Sequence, residues 1–273
     1  MQDGYYPFKT SSIHFTRWGT GPTLLICFHG YGESAASFAF LGEALGRQFT
    51  LLAIDLPFHG STVWKEGNSF QPEDLLSILE QGVEGLPAAG NGWWLLGYSM
   101  GGRVALSLLE KVPEMVDRLV LIAPDGLTVN SWYWLATQTS LGNRLFRWTM
   151  RHPGWFFFLL RAGNALKLVN PSVLKFTTQY ISDQQVRKDL YTRWTTMRGF
   201  RPNLPAIRKS IRARALPVRL LYGRHDRIIR FENGERFRKG IETWCRLMLI
   251  SSGHQLLQPA HLDAIRAAIT DPQ

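Results

Sequence analysis

A chain of 273 residues is about twice the usual single-domain length, yet doubly wound sheets reach that size around one continuous core. Hydrophobic residues at 45% and charged residues at 19% exclude a disordered chain, and 25 Gly with 14 Pro lack the period of collagen. The formal charge of +10 raises nucleic acid, anionic lipid and acidic substrates as partners. That charge is local, because residues 127–215 hold 15 Lys and Arg against only Asp183 and Asp189, a net +13 that leaves −3 on the rest.

Cys27 and Cys245 fall in apolar, strand-like runs and are too few for a disulfide scaffold or a zinc site, so a buried, reduced pair is expected and no metal site. The first residues, MQDGYYPFKTSS, lack the apolar core of a signal peptide, and no apolar run approaches the ~20 residues that span a bilayer. A cytoplasmic location is expected.

From residue 22 to 123, short apolar runs alternate with segments of helical period, the pattern of βα units on a mostly parallel sheet. Thr23–Phe28, Thr50–Ile54, Trp93–Leu96 and Arg118–Ala123 read as strands ending in Gly, Pro or Asp, and ligand chemistry gathers at such carboxyl ends. Pro72 followed by Glu73 and Asp74 starts a helix with the charge its dipole prefers. A second helix follows Ser99, with Val104, Ala105, Leu108 and Leu109 as its apolar stripe.

After Asp125 the alternation stops for some ninety residues rich in Trp, Phe and Arg that read as helices. There Ser182 with Gln185 fits a capping box, and Val186, Leu190, Trp194 and Met197 share a face that ends at Gly199. Strands at Val218–Tyr222 and Arg246–Ile250 then resume the sheet, with helices around Phe231–Lys239 and Pro259–Ile269. The fold class is therefore α/β, a mostly parallel sheet flanked by helices, with residues 1–126 and 216–273 forming the core and 127–215 an inserted helical cap.

The sharpest chemical signal is Gly97-Tyr98-Ser99-Met100-Gly101, directly between a strand and a helix. A serine on so sharp a turn is pushed out of the sheet, and the flanking glycines let a neighbouring chain approach. The same letters also fit a helix start with Ser99 as its N-cap; the placement after a buried strand favours the nucleophile.

On these residues the chain resembles the α/β-hydrolase superfamily, in the branch of small serine esterases and lipases with a helical cap after the sixth strand. The resemblance implies the chain order serine, acid, histidine. It places the acid at Asp226 in Tyr222-Gly223-Arg224-His225-Asp226, and the histidine at His254 in Gly253-His254-Gln255. It implies oxyanion donors at the backbone N–H groups of Met100 and Tyr31, the latter in Phe28-His29-Gly30-Tyr31-Gly32. His29 then supports the loop, as does Asp55 in Asp55-Leu56-Pro57-Phe58-His59-Gly60. Asp125, also just past a strand, is the alternative acid, and His14 and His152 have no supporting context.

The expected function is hydrolysis of a carboxylic ester with an apolar acyl or aryl part through an acyl-enzyme, without cofactor. A thioesterase or C–C bond hydrolase uses the same triad. A ligand-binding receptor or a membrane- or partner-docking protein on this scaffold is the alternative from another class. In the cap, Trp132, Trp134, Trp148, Trp155 and Trp194 are candidates for the substrate pocket, with packing among the cap helices as the competing role. Trp155-Phe156-Phe157-Phe158-Leu159-Leu160, with Arg144, Arg147, Arg151 and Arg161 around it, suits an anionic membrane surface as well as it suits a packed helix. The basic cap is thus expected to meet an acidic carrier or an anionic membrane surface while the small-molecule ester enters; nucleic acid is not expected, since no binding motif accompanies the charge.

Overall fold

Strands that read as unbroken apolar runs need cover on both faces, and the computed structural model gives them that cover. It describes residues 1–84, 86, 92–128, 130–165 and 181–271. The strands are β1 (Gln2–Phe8), β2 (Ser11–Trp18), β3 (Thr23–Phe28), β4 (Phe49–Ile54), β5 (Trp93–Tyr98), β6 (Val116–Ile122), β7 (Val218–Gly223) and β8 (Cys245–Ile250). They form one sheet in the order β1-β2-β4-β3-β5-β6-β7-β8, antiparallel across β1, β2 and β4 and parallel from β4 onward. β4 and β7 are buried at every residue, whereas β2 alternates, as befits a strand near an edge.

The helices of this unit are α1 (Ala39–Leu45), α2 (Pro72–Val83), α3 (Met100–Lys111), α8 (Leu204–Arg214), α9 (Glu232–Arg238) and α10 (Leu262–Thr270). Crossover connections are right-handed, so their direction along the sheet decides the face each helix covers. The chain steps one way from β3 to β4 and the other way from β5 to β6. Accordingly α1 and α10 share one core with Leu25, Leu51, Val120 and Leu221, while α2, α3 and α8 pack together apart from it. Between β3 and β5 the sense of the connections reverses, and at such a switch point the loops diverge and leave a crevice at the carboxyl ends of the strands.

α2 begins as expected, with Pro72 in its first turn and Gln71 and Asp74 in a reciprocal capping box. Two elements had no counterpart in the sequence reading: the β1–β2 hairpin and α1. Both cysteines are buried and free; burial pushes the Cys27 thiol far up and that of Cys245 to about 12.

The chain divides into two compact units, 1–66 with 70–128 and 199–273, and 67–69 with 129–198. The expected insertion of 127–215 therefore ends some seventeen residues early. The reason is α8, whose Ile207 and Ile211 are wholly buried against the sheet unit despite the many Arg and Lys around them. Five basic residues go with α8 and its approach, so residues 129–198 carry ten Lys and Arg against two Asp, a net +8, and the remainder +2 rather than −3.

The second unit contains α4 (Ser131–Gln138), α5 (Ser140–Arg151), α6 (Gly154–Ala165) and α7 (Gln184–Thr196). Asn130, Thr139 and Asp183 cap three of them by accepting the N–H of Tyr133, Gly142 and Val186. The cap of α7 is Asp183, not Ser182: the helix starts one residue later than the expected capping box, and the carboxylate accepts the Val186 N–H at 2.9 Å. Buried Arg187 closes the end of α5 by donating from Nε to the Met150 carbonyl at 2.8 Å. No helix of the described residues is long and apolar enough to cross a membrane.

Candidate active site

Ser99 lies at the end of β5 with φ +50° and ψ −115°, a region that L residues avoid because Cβ meets the backbone. The turn is held from several sides. Ser99 N–H donates to the Ile122 carbonyl at 2.9 Å, and its own carbonyl accepts from Gly102 at 2.9 Å and Asp125 at 2.8 Å. The flanking glycines are required by space: a Cβ on Gly101 would stand 1.9 Å from the Phe28 carbonyl oxygen, and one on Gly97 would stand 2.4 Å from that of Gly101. The elbow and the end of β3 are thus pressed together at the switch point.

His254 and Asp226 come to Ser99 from the loops after β8 and β7. The Ser99 hydroxyl donates to His254 Nε2 at 3.1 Å, and His254 Nδ1–H donates to Asp226 Oδ2 at 2.7 Å. Asp226 Oδ1 accepts the N–H groups of Ile228 and Ile229 at 2.8 and 2.9 Å, so both oxygens of this buried carboxylate are engaged and its orientation is fixed. Since the carboxylate only accepts, Nδ1 carries the proton and Nε2 offers its lone pair to the serine.

Asp125, the alternative acid, points elsewhere: Oδ1 accepts from Gly126 N–H at 2.7 Å and Oδ2 lies 3.5 Å from Arg103 Nε. His29 is buried, with Nδ1–H donating to the Gly30 carbonyl and Nε2 accepting from Leu56 N–H, which uses both ring nitrogens within the loop. Asp55 accepts from Ala35 and Ser61 N–H and from His14 Nδ1–H. The sequence offered no context for that last partner. Met100 is the first residue of α3, where N–H groups have no partner within the helix, and Tyr31 follows β3 across the crevice with its ring edge-on to His59.

Two further residues border the histidine. Tyr98, the residue before the serine, donates its hydroxyl to the His254 carbonyl at 3.1 Å and stacks its ring 5.8 Å from the imidazole. Burial holds the Tyr98 phenol well above its ordinary value, with the Glu33 and Asp226 charges adding to the effect. The Glu33 carboxyl and the Tyr98 ring both border the space beside the Gly30 Cα; Glu33 lies within electrostatic reach of His254, and burial raises its carboxyl against hydrogen bonds from Gly30 and Ser37. One Glu33 oxygen is buried with no partner among the described residues. Tyr98 was legible as a member of the motif; Glu33 had no signal beyond its place in the loop after β3.

Of the five tryptophans proposed for a pocket, Trp194 packs against Tyr133 and Phe146 inside the helical unit, and Trp155 stacks on Trp148. Trp132, Trp134 and Trp148 are exposed. Among the described residues no group of His, Cys, Asp and Glu has the arrangement of a metal site.

A serine on a strained strand-to-helix turn, backed by a histidine and a carboxylate from later loops of a switch-point sheet, places the protein in the class of α/β proteins built around a nucleophile elbow. The chain belongs to the alpha/beta hydrolase fold family, whose model matches residues 23–254. It is 26% identical over 231 residues to a pimeloyl-[acyl-carrier protein] methyl ester esterase of Nitrosomonas europaea, covering 79% of this chain and 82% of that protein. It is 30% identical over 118 residues to an esterase of Mycobacterium tuberculosis, a match over 42% of this chain that spans 37% of that protein. Among solved structures, a thermophilic esterase from Thermogutta terrifontis superposes with a TM-score of 0.64 at 20% identity, over 97% of each chain.

Proposed function

We propose that the protein hydrolyses carboxylic esters with an apolar acyl or aryl part through an acyl-enzyme on Ser99. The observation that carries this reading is the unbroken chain of hydrogen bonds from Ser99 through His254 to Asp226. In it, Ser99 Oγ attacks the ester carbonyl while its proton passes to His254 Nε2. Asp226 holds the imidazole in place and stabilises the imidazolium that results. The oxyanion is met by the N–H groups of Met100 and Tyr31. Collapse of the tetrahedral intermediate breaks the C–O bond, and His254 returns its proton to the leaving alcohol. Water then repeats the sequence on the acyl-enzyme, releasing the acid and restoring the serine.

The relation to the Nitrosomonas methyl ester esterase and the +8 charge of residues 129–198 favour, as a second reading, an acyl group presented on an acidic carrier. A panel of aryl, alkyl and methyl esters and thioesters, free and carrier-bound, tests both readings. Turnover of simple esters that falls on the order of 10⁶-fold in Ser99→Ala supports the first, and turnover confined to carrier-bound substrates supports the second. Undiminished hydrolysis by Ser99→Ala overturns both.

A further inference from the structure

Eight of the twelve large apolar side chains that are exposed among the described residues fall between Trp132 and Leu159, in three consecutive helices. The sheet unit, though it holds most of the chain, has only the other four, Met1, Tyr5, Val63 and Ile228, so this concentration calls for its own cause. On α4 Trp132 is 79% exposed, on α5 Leu141 is 78%, and on α6 Phe158 is 69%. These are values for side chains that stand in solvent rather than at the margin of a core.

The pattern along α5 is ordered. Leu141, Leu145 and Trp148 recur at i, i+4 and i+7, and at 100° per residue they fall with Arg144 and Arg151 inside an arc of about 120°. The opposite side carries Phe146 and the buried Met150, and there α5 packs against α7, with Phe146 against Tyr191 and Trp194. The exposed stripe continues onto both neighbours: Gly142 approaches the Leu135 carbonyl of α4, and Trp148 stacks on Trp155 of α6 at 5.6 Å. Leu159 and Arg161 carry the same mixture along α6.

The charge is one-sided. Of the two acidic residues in 129–198, Asp183 caps α7 and Asp189 lies 3.7 Å from Arg193. No carboxylate among the described residues pairs with Arg144, Arg151 or Arg161, all of which are exposed. Apolar and indole tips interleaved with unpaired guanidinium groups on long stems match the boundary between acyl chains and anionic headgroups. A second copy of the chain would bring +8 against +8. An acidic protein would satisfy the arginines and leave Trp132, Leu141 and Phe158 without an apolar medium.

We propose that the exposed face of α4, α5 and α6 docks on the surface of an anionic lipid bilayer, with Trp132, Leu141 and Phe158 entering the interface and Arg144, Arg151 and Arg161 meeting lipid phosphates. The inference does not depend on the esterase reading, because binding is read without turnover. The test is flotation of the full chain with vesicles of phosphatidylcholine alone and of phosphatidylcholine with roughly a third phosphatidylglycerol. The protein should float with the anionic vesicles and be released by salt. Arg144→Gln with Arg151→Gln and Arg161→Gln should weaken partitioning roughly 100-fold, about fivefold per charge. Leu141→Ser with Phe158→Ser should weaken it at least tenfold on the same vesicles. Circular dichroism and a cooperative melt establish that each variant is folded. Equal partitioning to both vesicle types, or an apolar variant that binds like the parent, overturns the proposal. So does a chain that binds an acidic acyl carrier protein while leaving the vesicles unbound.

Discussion

Replacing Gly101 by alanine tests whether the elbow and the end of β3 are held as one piece. The added Cβ would lie 1.9 Å from the Phe28 carbonyl oxygen and 2.4 Å from its carbon, about 1.5 Å short of ordinary contact. Both atoms are backbone, so no side-chain rotation relieves the clash. Either β3 or the first turn of α3 must move, and each carries one side of the crevice: Tyr31 follows β3, and Ser99 with Met100 precedes and opens α3. Overpacking of a well-filled site costs about 3 kcal/mol, which for a unit of this size lowers the melting temperature by roughly 6–12 °C. On the proposed mechanism, a displacement near 1 Å between Ser99 and the N–H groups proposed to meet the oxyanion costs on the order of 100-fold in kcat/KM. Thermal unfolding by circular dichroism and hydrolysis of an aryl ester measure the two effects. Gly154→Ala, where the added Cβ meets nothing within 4 Å, is the control and should lose neither. A Gly101→Ala protein that melts within about a degree of the parent and retains its kcat/KM would refute the argument.

Asp226→Asn should lower kcat by roughly 10⁴-fold, since the amide cannot hold the Nδ1–H tautomer, whereas Asp125→Asn, which disturbs only the contacts to Gly126 and Arg103, should fall less than tenfold; steady-state kinetics ranks them. Ser99→Gly should unfold at higher denaturant than Ser99→Ala, by about 1 kcal/mol, because glycine accepts φ +50° and alanine does not; the midpoint of a urea melt reads the difference. Glu33→Gln probes the raised carboxyl. A folded-state value above the unfolded one means the native protein binds more protons, so this group costs stability as pH rises from the unfolded value through the folded one. The variant should therefore melt above the parent at neutral pH and lose that advantage below the ordinary glutamate range; a difference independent of pH would contradict the assignment.

The parts of this structure that the sequence makes legible are those fixed by short-range chemistry. Strands β3 to β8 are mostly apolar runs, broken by single polar or charged residues such as Arg118, Arg219 and Arg246, and the elbow is a strand, a serine and two glycines within a few positions. The β1–β2 hairpin is hidden because Gln2–Phe8 alternates, contains a proline and lies at an edge, so it reads as a polar tail. α8 misleads because its charge matches the insertion while its two isoleucines belong to the sheet. Tyr98 reaches a histidine carbonyl 156 positions away, and the unpartnered Glu33 oxygen is defined only by what packs around it. Neither is written in local spacing.

The most direct measurement of the central claim is labelling with a serine-reactive aryl phosphonate followed by peptide mass spectrometry. A strained, histidine-backed Ser99 should take one phosphonyl group per chain, and both the label and the ester turnover should be absent from Ser99→Ala. A chain that hydrolyses esters with its label on another residue, or with none at all, would contradict it.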